Sequence, residues 1–342
     1  MEKPLLRGKL LDAHELPSLA NWFPVSITDD GPSPTVWWRG MGQGRFLEPF
    51  FHDTLAAQPV ADRQVCQTPL AALAGFDNSV APTAFVFHVS RCGSTLVTQM
   101  LAALPQCIVM SEPPVLDAFF RLHHHQPARI GGAHTLRQLV AALGQRRTGQ
   151  EQHCFIKLDC WHMSWMPWLR QVFAHTPFVL IYRDPDEVMA SHRRLRGAQM
   201  VPGLLDTSLL QPDTTALAPA DFDGYTARVL DAIYASALAC VGGTKDLSSS
   251  DAVTNVTLIN YNELPDAVCG PLLAKLGVVC SADDLRPLQA RAKRHSKHEN
   301  NEFEGDPKAD EFTPVNDRPA LAVQALRSYA ALEKIRRGHA PA

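Results

Sequence analysis

The sequence lacks three features that mark specialised classes of protein. Its eight cysteines include no C-x-x-C pair, which argues against a zinc ribbon and against a tight disulfide framework. No stretch approaches the ~18 apolar residues that a membrane-spanning helix needs, and the N-terminus has no sustained apolar segment. Lysine and arginine (32) do not outnumber aspartate and glutamate (35), so no overall basic field favours nucleic acid. We therefore expect a cytoplasmic protein with reduced thiols and with neither a membrane nor a nucleic-acid partner.

The composition is that of a folded protein whose N-terminal part differs in character from the rest. The chain has 342 residues, of which 46% are hydrophobic and 20% charged, and this excludes general disorder. Residues 1–78 are rich in Pro, Gly and Trp and contain short apolar runs, so they predict a small, partly β extension of unknown role. Within it, Gly40–Arg45 lacks the third glycine of a dinucleotide-binding fingerprint and predicts a turn.

From residue 79 onward, the pattern alternates between buried strands and helices. Short apolar runs that predict buried strands occur at 84–89, 153–158, 178–182 and 256–260, and helical patterns follow the first and third of these runs. Alternation of this kind predicts an α/β domain over 79–342, with a P-loop-type parallel sheet flanked by helices. Residues 197–223 are long and irregular and contain three prolines, which favours a lid or binding loop.

The segment Ser90–Thr95 joins the first buried strand to a helix. Its backbone N–H groups and the helix N-terminus should converge on one point, which predicts a phosphate-binding loop. Alignment with a Walker A loop places Ser94 where the lysine belongs, so an ordinary ATPase or kinase is disfavoured. The alternative is a strand–helix turn whose small residues serve packing alone.

A second anion-binding pattern follows the strand that ends at Tyr182. Arg183 leaves the carboxyl end of that strand, the edge where open α/β sheets bind ligands, and Ser191 lies eight residues further on in a predicted helix. Together they could offer a guanidinium and a hydroxyl to a phosphate. The alternative is local pairing of Arg183 with Asp184 or Asp186.

These motifs resemble those of the sulfotransferase family, which uses 3′-phosphoadenosine-5′-phosphosulfate as donor. The family's 5′-phosphosulfate loop typically reads Pro-Arg/Lys-Ser-Gly-Thr/Ser-Thr, and here Ser90 replaces the proline and Cys92 the serine. Its 3′-phosphate element, an Arg-Asp/Asn-Pro with a serine eight residues after the arginine, matches Arg183 and Ser191. A late Tyr-Glu-Asp-Leu is changed to Tyr-Asn-Glu-Leu at 261–264. The resemblance spans roughly residues 82 to 300 and is nearest in motif spacing to the bacterial and tyrosylprotein-type branch.

The resemblance implies a set of donor-binding and catalytic residues. Donor binding would fall to Arg91, Cys92, Gly93, Ser94, Thr95, Arg183 and Ser191. Glu112, twenty-one residues after Arg91, occupies the place of the family's catalytic base, and Lys157 that of the lysine which stabilises charge on the bridging oxygen. The alternatives are an exposed loop glutamate and a solvated lysine at a strand end.

The resulting expectation is transfer of a sulfuryl group to a hydroxyl or amine of a small-molecule or peptide acceptor. No metal is expected, because consecutive histidines such as His123–His125 point in different directions and cationic side chains stand where magnesium stands in kinases. Two alternatives remain open: a P-loop phosphotransferase that uses a nucleoside triphosphate, and a non-catalytic nucleotide-binding protein on the same fold. The acceptor and the oligomeric state are not determined by the sequence.

Overall fold

The computed structural model describes residues 6–206, 208–215, 217–218, 220–242, 255–294 and 322–338. Its strands are β1 (Lys9–Leu10), β2 (Trp22–Thr28), β3 (Thr35–Gly40), β4 (Gln64–Pro69), β5 (Pro82–His88), β6 (Cys107–Ser111), β7 (His153–Lys157), β8 (Phe178–Tyr182) and β9 (Val256–Asn260). The α-helices of the described residues are α1 (Phe51–Ala57), α2 (Ser94–Ala102), α3 (Pro114–His125), α4 (Pro127–Ile130), α5 (Gly132–Leu143), α6 (Met166–Val172), α7 (Pro185–Arg194), α8 (Phe222–Gly242), α9 (Leu273–Lys275), α10 (Ala282–Ala292) and α11 (Val323–Arg336).

The strands form two sheets. The smaller has the order β1-β4-β3-β2 and the larger the order β6-β7-β5-β8-β9. In the larger sheet, β6 pairs with β7 and β8 pairs with β9, in both cases in parallel. All five residues of β8 are buried, as expected for a strand covered on both faces. The predicted α/β class, with a parallel sheet flanked by helices and a partly β N-terminal extension, is confirmed.

The chain divides into two compact units. The first comprises residues 1–85, 95–158 and 271–299, and the second comprises 86–94, 159–270 and 300–342. The predicted change of domain near residue 78 stays a prediction. Both units are assembled from segments that are distant in sequence, so neither is one continuous stretch of chain.

In the first unit, the N-terminal sheet is largely antiparallel. β2 pairs with β3 and β3 with β4, and the register of the first pair shifts between Pro24 and Ser26. Proline cannot donate a hydrogen bond to the ladder, so within sheets it is confined to positions such as this bulge. The fully buried Trp38 donates through Nε1 to the Thr68 hydroxyl at 2.8 Å, which ties β3 to β4. The apolar face of α3, which includes the buried Phe119, packs on the same sheet.

In the second unit, α11 covers the ends of β8 and β9 through a buried carboxylate. Glu333 accepts hydrogen bonds from the Tyr182 hydroxyl at 2.6 Å and from Asn260 Nδ2 at 3.0 Å. Arg336 Nη2 forms an ion pair with it at 2.8 Å. Burial opposes ionisation of Glu333, but the hydrogen bonds from Arg336, Tyr182 and Asn260 prevail and lower its pKa to about 2. The carboxylate therefore joins two strand ends to the last described helix.

Predicted element boundaries agree with the structure to within a few residues. The helix after the phosphate loop is α2, and the predicted helix that contains Ser191 is α7. Between α7 and α8 the described residues contain one short 3₁₀ turn, Ala198–Met200, and are otherwise irregular, as predicted for 197–223. No disulfide joins the eight cysteines, all of which lie among the described residues.

Across the described part of the chain, no helix combines the length and the apolar character needed to cross a bilayer.

Candidate functional site

The predicted phosphate loop has an unusual backbone. Ser90 and Arg91 both adopt left-handed conformations, with φ of +76° and +49°, and Gly93 follows with φ of +80°. A left-handed non-glycine residue is disfavoured by about 1 kcal/mol or more, so two in succession need support from their surroundings. Part of that support is local, because the Ser90 N–H donates to His88 Nδ1 at 3.2 Å. Such strain commonly occurs where a loop binds a ligand.

Gly93 packs closely against a neighbouring segment, and its left-handed backbone favours glycine. A Cβ at this position would lie 2.6 Å from Leu264 Cδ1 and 3.1 Å from Tyr261 Cδ2. The segment 261–264, which sequence comparison identifies only as an altered Tyr-Glu-Asp-Leu, therefore packs directly on the loop. Any larger residue at 93 would push these two side chains away.

The Arg91 side chain contacts the protein itself. Its Nη2 donates to the Leu195 carbonyl at 2.7 Å, immediately after α7. Burial, with Arg194 nearby, lowers the pKa of its guanidinium. The Arg91 carbonyl accepts a hydrogen bond from Arg183 Nη1 at 3.3 Å. Arg91, which is predicted to bind the donor nucleotide, thus supports the conformation of the loop.

Cys92 and Ser94 occupy buried places in the same segment. Cys92 is 1% exposed and donates through Sγ to the Ile181 carbonyl on β8 at 3.1 Å. Ser94 is buried and is the first residue of α2, at the end of a helix where an anion is favoured. The thiol that replaces the family's serine therefore anchors the loop to a strand.

Arg183 is held by a carboxylate that sequence reasoning missed. Its Nε donates to Glu187 Oε2 at 2.6 Å, and its guanidinium lies 4.0 Å from the centroid of the Tyr261 ring. Asp184, one of the two carboxylates named in the local alternative, accepts from the Asp186 N–H and caps α7. Ser191 is half-buried two turns into the same helix. The i, i+4 spacing of 183 and 187 is the signal that could have found Glu187.

Glu112 and Lys157, the predicted catalytic pair, lie together in the first unit. Lys157 Nζ forms an ion pair with Glu112 Oε1 at 3.0 Å and donates to the Thr95 hydroxyl at 3.3 Å. The strands bring them together, because Ser111 on β6 is in register with Lys157 on β7 and the Glu112 N–H donates to the Lys157 carbonyl at 2.8 Å. Thr95, the last residue of the predicted loop motif, is thus in contact with the lysine.

The two alternatives for this pair, an exposed loop glutamate and a solvated lysine, are both wrong. The Lys157 side chain has no exposed surface and the Glu112 side chain is 18% exposed, so neither is a solvated surface charge. A buried ammonium needs a charged partner, and Glu112 provides it. Glu112 also has φ of +52°, which is unfavourable for a residue with a Cβ. The arrangement leaves a carboxylate that is partly accessible to a substrate and paired with a buried cation.

Phe50, from the N-terminal extension, lies against the same ammonium group. The half-buried Phe50, immediately before α1, places its ring centroid 4.6 Å from Lys157 Nζ, within the range of a cation–π interaction. Sequence reasoning assigned no role to residues 1–78 and could not find this contact, because Phe50 and Lys157 are far apart in the chain.

Hydrogen bonds fix the chain around Phe50 to α2. Arg45 Nη2 donates to the carbonyls of Ala102 and Leu104, the latter at 2.8 Å, and so satisfies the helix C-terminus. Gln99 Nε2 donates to the Leu47 carbonyl at 2.9 Å, and its Oε1 accepts from the buried Arg291 at 2.8 Å. The N-terminal extension is therefore integrated with the helix that carries Thr95.

Comparison with known proteins yields one family. Residues 82–216 match the model of the sulfotransferase family, and this stretch includes every predicted site residue. No curated protein matches the chain. A sulfotransferase from Mycobacterium tuberculosis is similar in structure, with 11% identity, a TM-score of 0.38, and coverage of 62% of this chain and 72% of its own. The sulfotransferase domain of the Synechococcus olefin synthase has 17% identity, a TM-score of 0.38, and coverage of 74% and 96% respectively.

Proposed function

We propose, from the match of residues 82–216 to the sulfotransferase family, that this protein transfers a sulfuryl group. The donor is 3′-phosphoadenosine-5′-phosphosulfate, and the acceptor is a hydroxyl or amine of a small molecule or peptide. The observation that carries the proposal is the ion pair of Glu112 with the fully buried Lys157, which also contacts Thr95 of the loop motif. A base, a cation and a motif residue in direct contact match the needs of group transfer between two oxygens.

In the proposed reaction, Glu112 acts as general base. It accepts the proton of the acceptor as the acceptor oxygen or nitrogen forms its bond to sulfur, and the bond from sulfur to the bridging oxygen breaks. The leaving group is adenosine 3′,5′-bisphosphate, which keeps the electron pair of that bond. The partial exposure of Glu112 supports this role, because a base must reach the proton that it removes.

Lys157 would stabilise the charge that grows on the bridging oxygen. Its Nζ has three protons, of which the contacts with Glu112 and Thr95 use two. Burial strengthens its electrostatic effect, since an ammonium acts more strongly where water is excluded. The backbone N–H groups of the loop would add to it at the start of α2.

For the donor nucleotide, the proposal assigns the 5′-phosphosulfate to the loop and the 3′-phosphate to Arg183 and Ser191. The left-handed backbone and the Cβ-free Gly93 are consistent with a loop shaped to receive an anion. The buried Arg183 would offer a charged donor to the 3′-phosphate. The proposal needs no metal ion, and it places the protein in the cytoplasm, where thiols stay reduced.

The experiment that tests the donor class is a thermal-shift comparison of nucleotides. Adenosine 3′,5′-bisphosphate should raise the melting temperature more than AMP or ATP at equal concentration, in the presence of a chelator. Transfer of a labelled sulfuryl group to a panel of phenols, sugars and tyrosine peptides should then proceed with the chelator present. In a parallel series with magnesium in place of the chelator, preferred binding of ATP would instead favour a phosphotransferase. Binding of the bisphosphate without turnover would favour a non-catalytic nucleotide-binding protein.

A further inference from the structure

Ser90, the first residue of the phosphate loop, carries a buried hydroxyl with two close nitrogen neighbours. Its Oγ lies 3.1 Å from His192 Nε2, near the end of α7, and 3.0 Å from Gln199 Nε2 in the following turn. The residue is 6% exposed. A serine hydroxyl has one proton to donate and two lone pairs to accept, so the direction of each hydrogen bond can be worked out.

The His192 ring must donate to Ser90. The backbone N–H of Gly197 points at His192 Nδ1 at 3.3 Å, and a backbone nitrogen can only donate. Nδ1 therefore accepts and carries no proton, and a neutral imidazole then has its proton on Nε2. A doubly protonated ring would set Nδ1–H against the Gly197 N–H. Nε2–H thus donates to Ser90 Oγ.

Gln199 supplies the second donor. Its amide nitrogen faces Ser90 Oγ at 3.0 Å and Cys160 Sγ at 3.7 Å, which accounts for both of its protons. Two donors fill both lone pairs of the Ser90 oxygen. The hydroxyl proton of Ser90 is then the part of this group that can still form a hydrogen bond. Among the residues that the structure describes, no acceptor lies within hydrogen-bond distance of it.

We propose that Ser90 donates this proton to the 5′-phosphosulfate of the bound donor, with His192 and Gln199 as positioning residues that set its direction. The inference rests on the proposed function and deepens it. A buried hydroxyl proton without an acceptor is unfavourable, and an anion in the loop would satisfy it. The serine stands where the family pattern has a proline, which cannot donate and whose φ is fixed near −65°. The φ of +76° here lies outside the range of proline.

The test compares two nucleotides and two variants by calorimetry. Ser90→Ala and Ser90→Gly should each bind adenosine 3′,5′-bisphosphate about tenfold or more weakly than the unchanged protein, because a hydrogen bond to a charged group is lost. Both should bind adenosine 3′-monophosphate within about twofold of it. The glycine variant removes the hydroxyl and also relieves the left-handed backbone, so it guards against misfolding of the alanine variant. Ser164→Ala is the matched control, since its hydroxyl donates to the Leu209 carbonyl.

The possible outcomes separate this inference from the proposed function. If the unchanged protein does not prefer the bisphosphate to the monophosphate, both fail. If it does and the Ser90 variants retain that preference, only the role of Ser90 fails. Equal weakening of both nucleotides, at unchanged melting temperature, would also overturn the inference, because it would mean that Ser90 acts on loop shape alone.

Discussion

The two clusters of predicted site residues are built in different ways. Glu112, Lys157 and Thr95 lie at the ends of strands β6 and β7 and in the first turn of α2, and side-chain contacts around one buried ammonium connect them. The loop at Ser90–Ser94 instead has left-handed backbone at three positions and is supported by hydrogen bonds and packing from several separate segments.

The difference shows where function resides in each cluster. In the first, regular strands set the geometry, so a substitution of equal shape should remove the chemistry and leave the structure intact. In the second, the backbone itself should bind the anion, so many substitutions that never touch the ligand should change its affinity. The predictions that follow test this contrast.

The largest effect is expected at Glu112. Glu112→Gln keeps the size of the side chain, and its amide oxygen can still accept from Lys157, but it cannot take a proton. Single-turnover transfer should slow by 10²- to 10⁴-fold, about 3 to 5.5 kcal/mol, with nucleotide affinity nearly unchanged. The melting temperature should fall, because the buried Lys157 ammonium loses its charged partner, so transfer is measured at a temperature where both proteins are folded. The exposed Glu48→Gln is the control. Retention of activity within about threefold would exclude Glu112 as the base.

Arg183→Ala should weaken binding of adenosine 3′,5′-bisphosphate by about 2 kcal/mol, roughly 30-fold, and barely change the affinity for AMP. The charged hydrogen bond is lost only when the 3′-phosphate is present. Because the substitution leaves Glu187 without this partner, the double variant with Glu187→Gln separates lost contact from new repulsion. Calorimetry with both nucleotides measures the difference, and equal losses for the two would contradict the assignment.

Glu333→Gln tests a support that lies away from both clusters. It should lower the free energy of unfolding by about 1 to 3 kcal/mol, because a buried acceptor of several hydrogen bonds is weakened. The folded-state pKa of about 2 lies below the ordinary 4.5, so the stabilisation by the carboxylate is present above pH 4.5 and is lost as pH falls towards 2. Denaturant unfolding should therefore show the two proteins converging in acid. A constant gap between pH 7 and 3 would exclude this linkage.

The smallest effect is expected at Phe50. Phe50→Leu removes the ring from the Lys157 ammonium and should lower kcat by about fivefold, the equivalent of about 1 kcal/mol for a cation–π contact. Phe50→Tyr keeps the ring and should retain activity. Nucleotide affinity should not change in either variant. If leucine and tyrosine behave alike, the ring contributes packing only.

Elements with a strong local signal could be predicted from the sequence. β8 is recognisable because its residues are buried on both faces and read as one apolar run, and α7 because Asp184 and Pro185 form a helix start. The sulfotransferase resemblance is confirmed over residues 82–216, whereas its bacterial branch stays a prediction. That resemblance predicted Glu112 and Lys157 as catalytic residues, and in the structure they are in contact.

The contacts of Phe50 and Gln199 could not be predicted from the sequence. Each depends on a partner far along the chain, 109 residues away in the case of Gln199 and Ser90. No periodic pattern marks such a pair, because periodicity records only which face of an element is buried. The left-handed backbone at Ser90, Arg91 and Glu112 also has no signature in residue type, since glycine is absent from all three positions.

The discontinuity of the first unit has a consequence for how the protein is made. Arg291 and Gln99, which bond within this unit, are 192 residues apart, and Arg147 reaches the Gly44 carbonyl across 103 residues. Chain entropy opposes such distant contacts until both partners exist, and proteins dominated by them fold slowly. During synthesis, the residues around Gln99 must therefore wait for nearly two hundred more to leave the ribosome before Arg291 can join them. If translation of the C-terminal part of the chain is slowed, Gln99 and the end of α2 should consequently stay exposed for longer, and chaperones could bind them during that time.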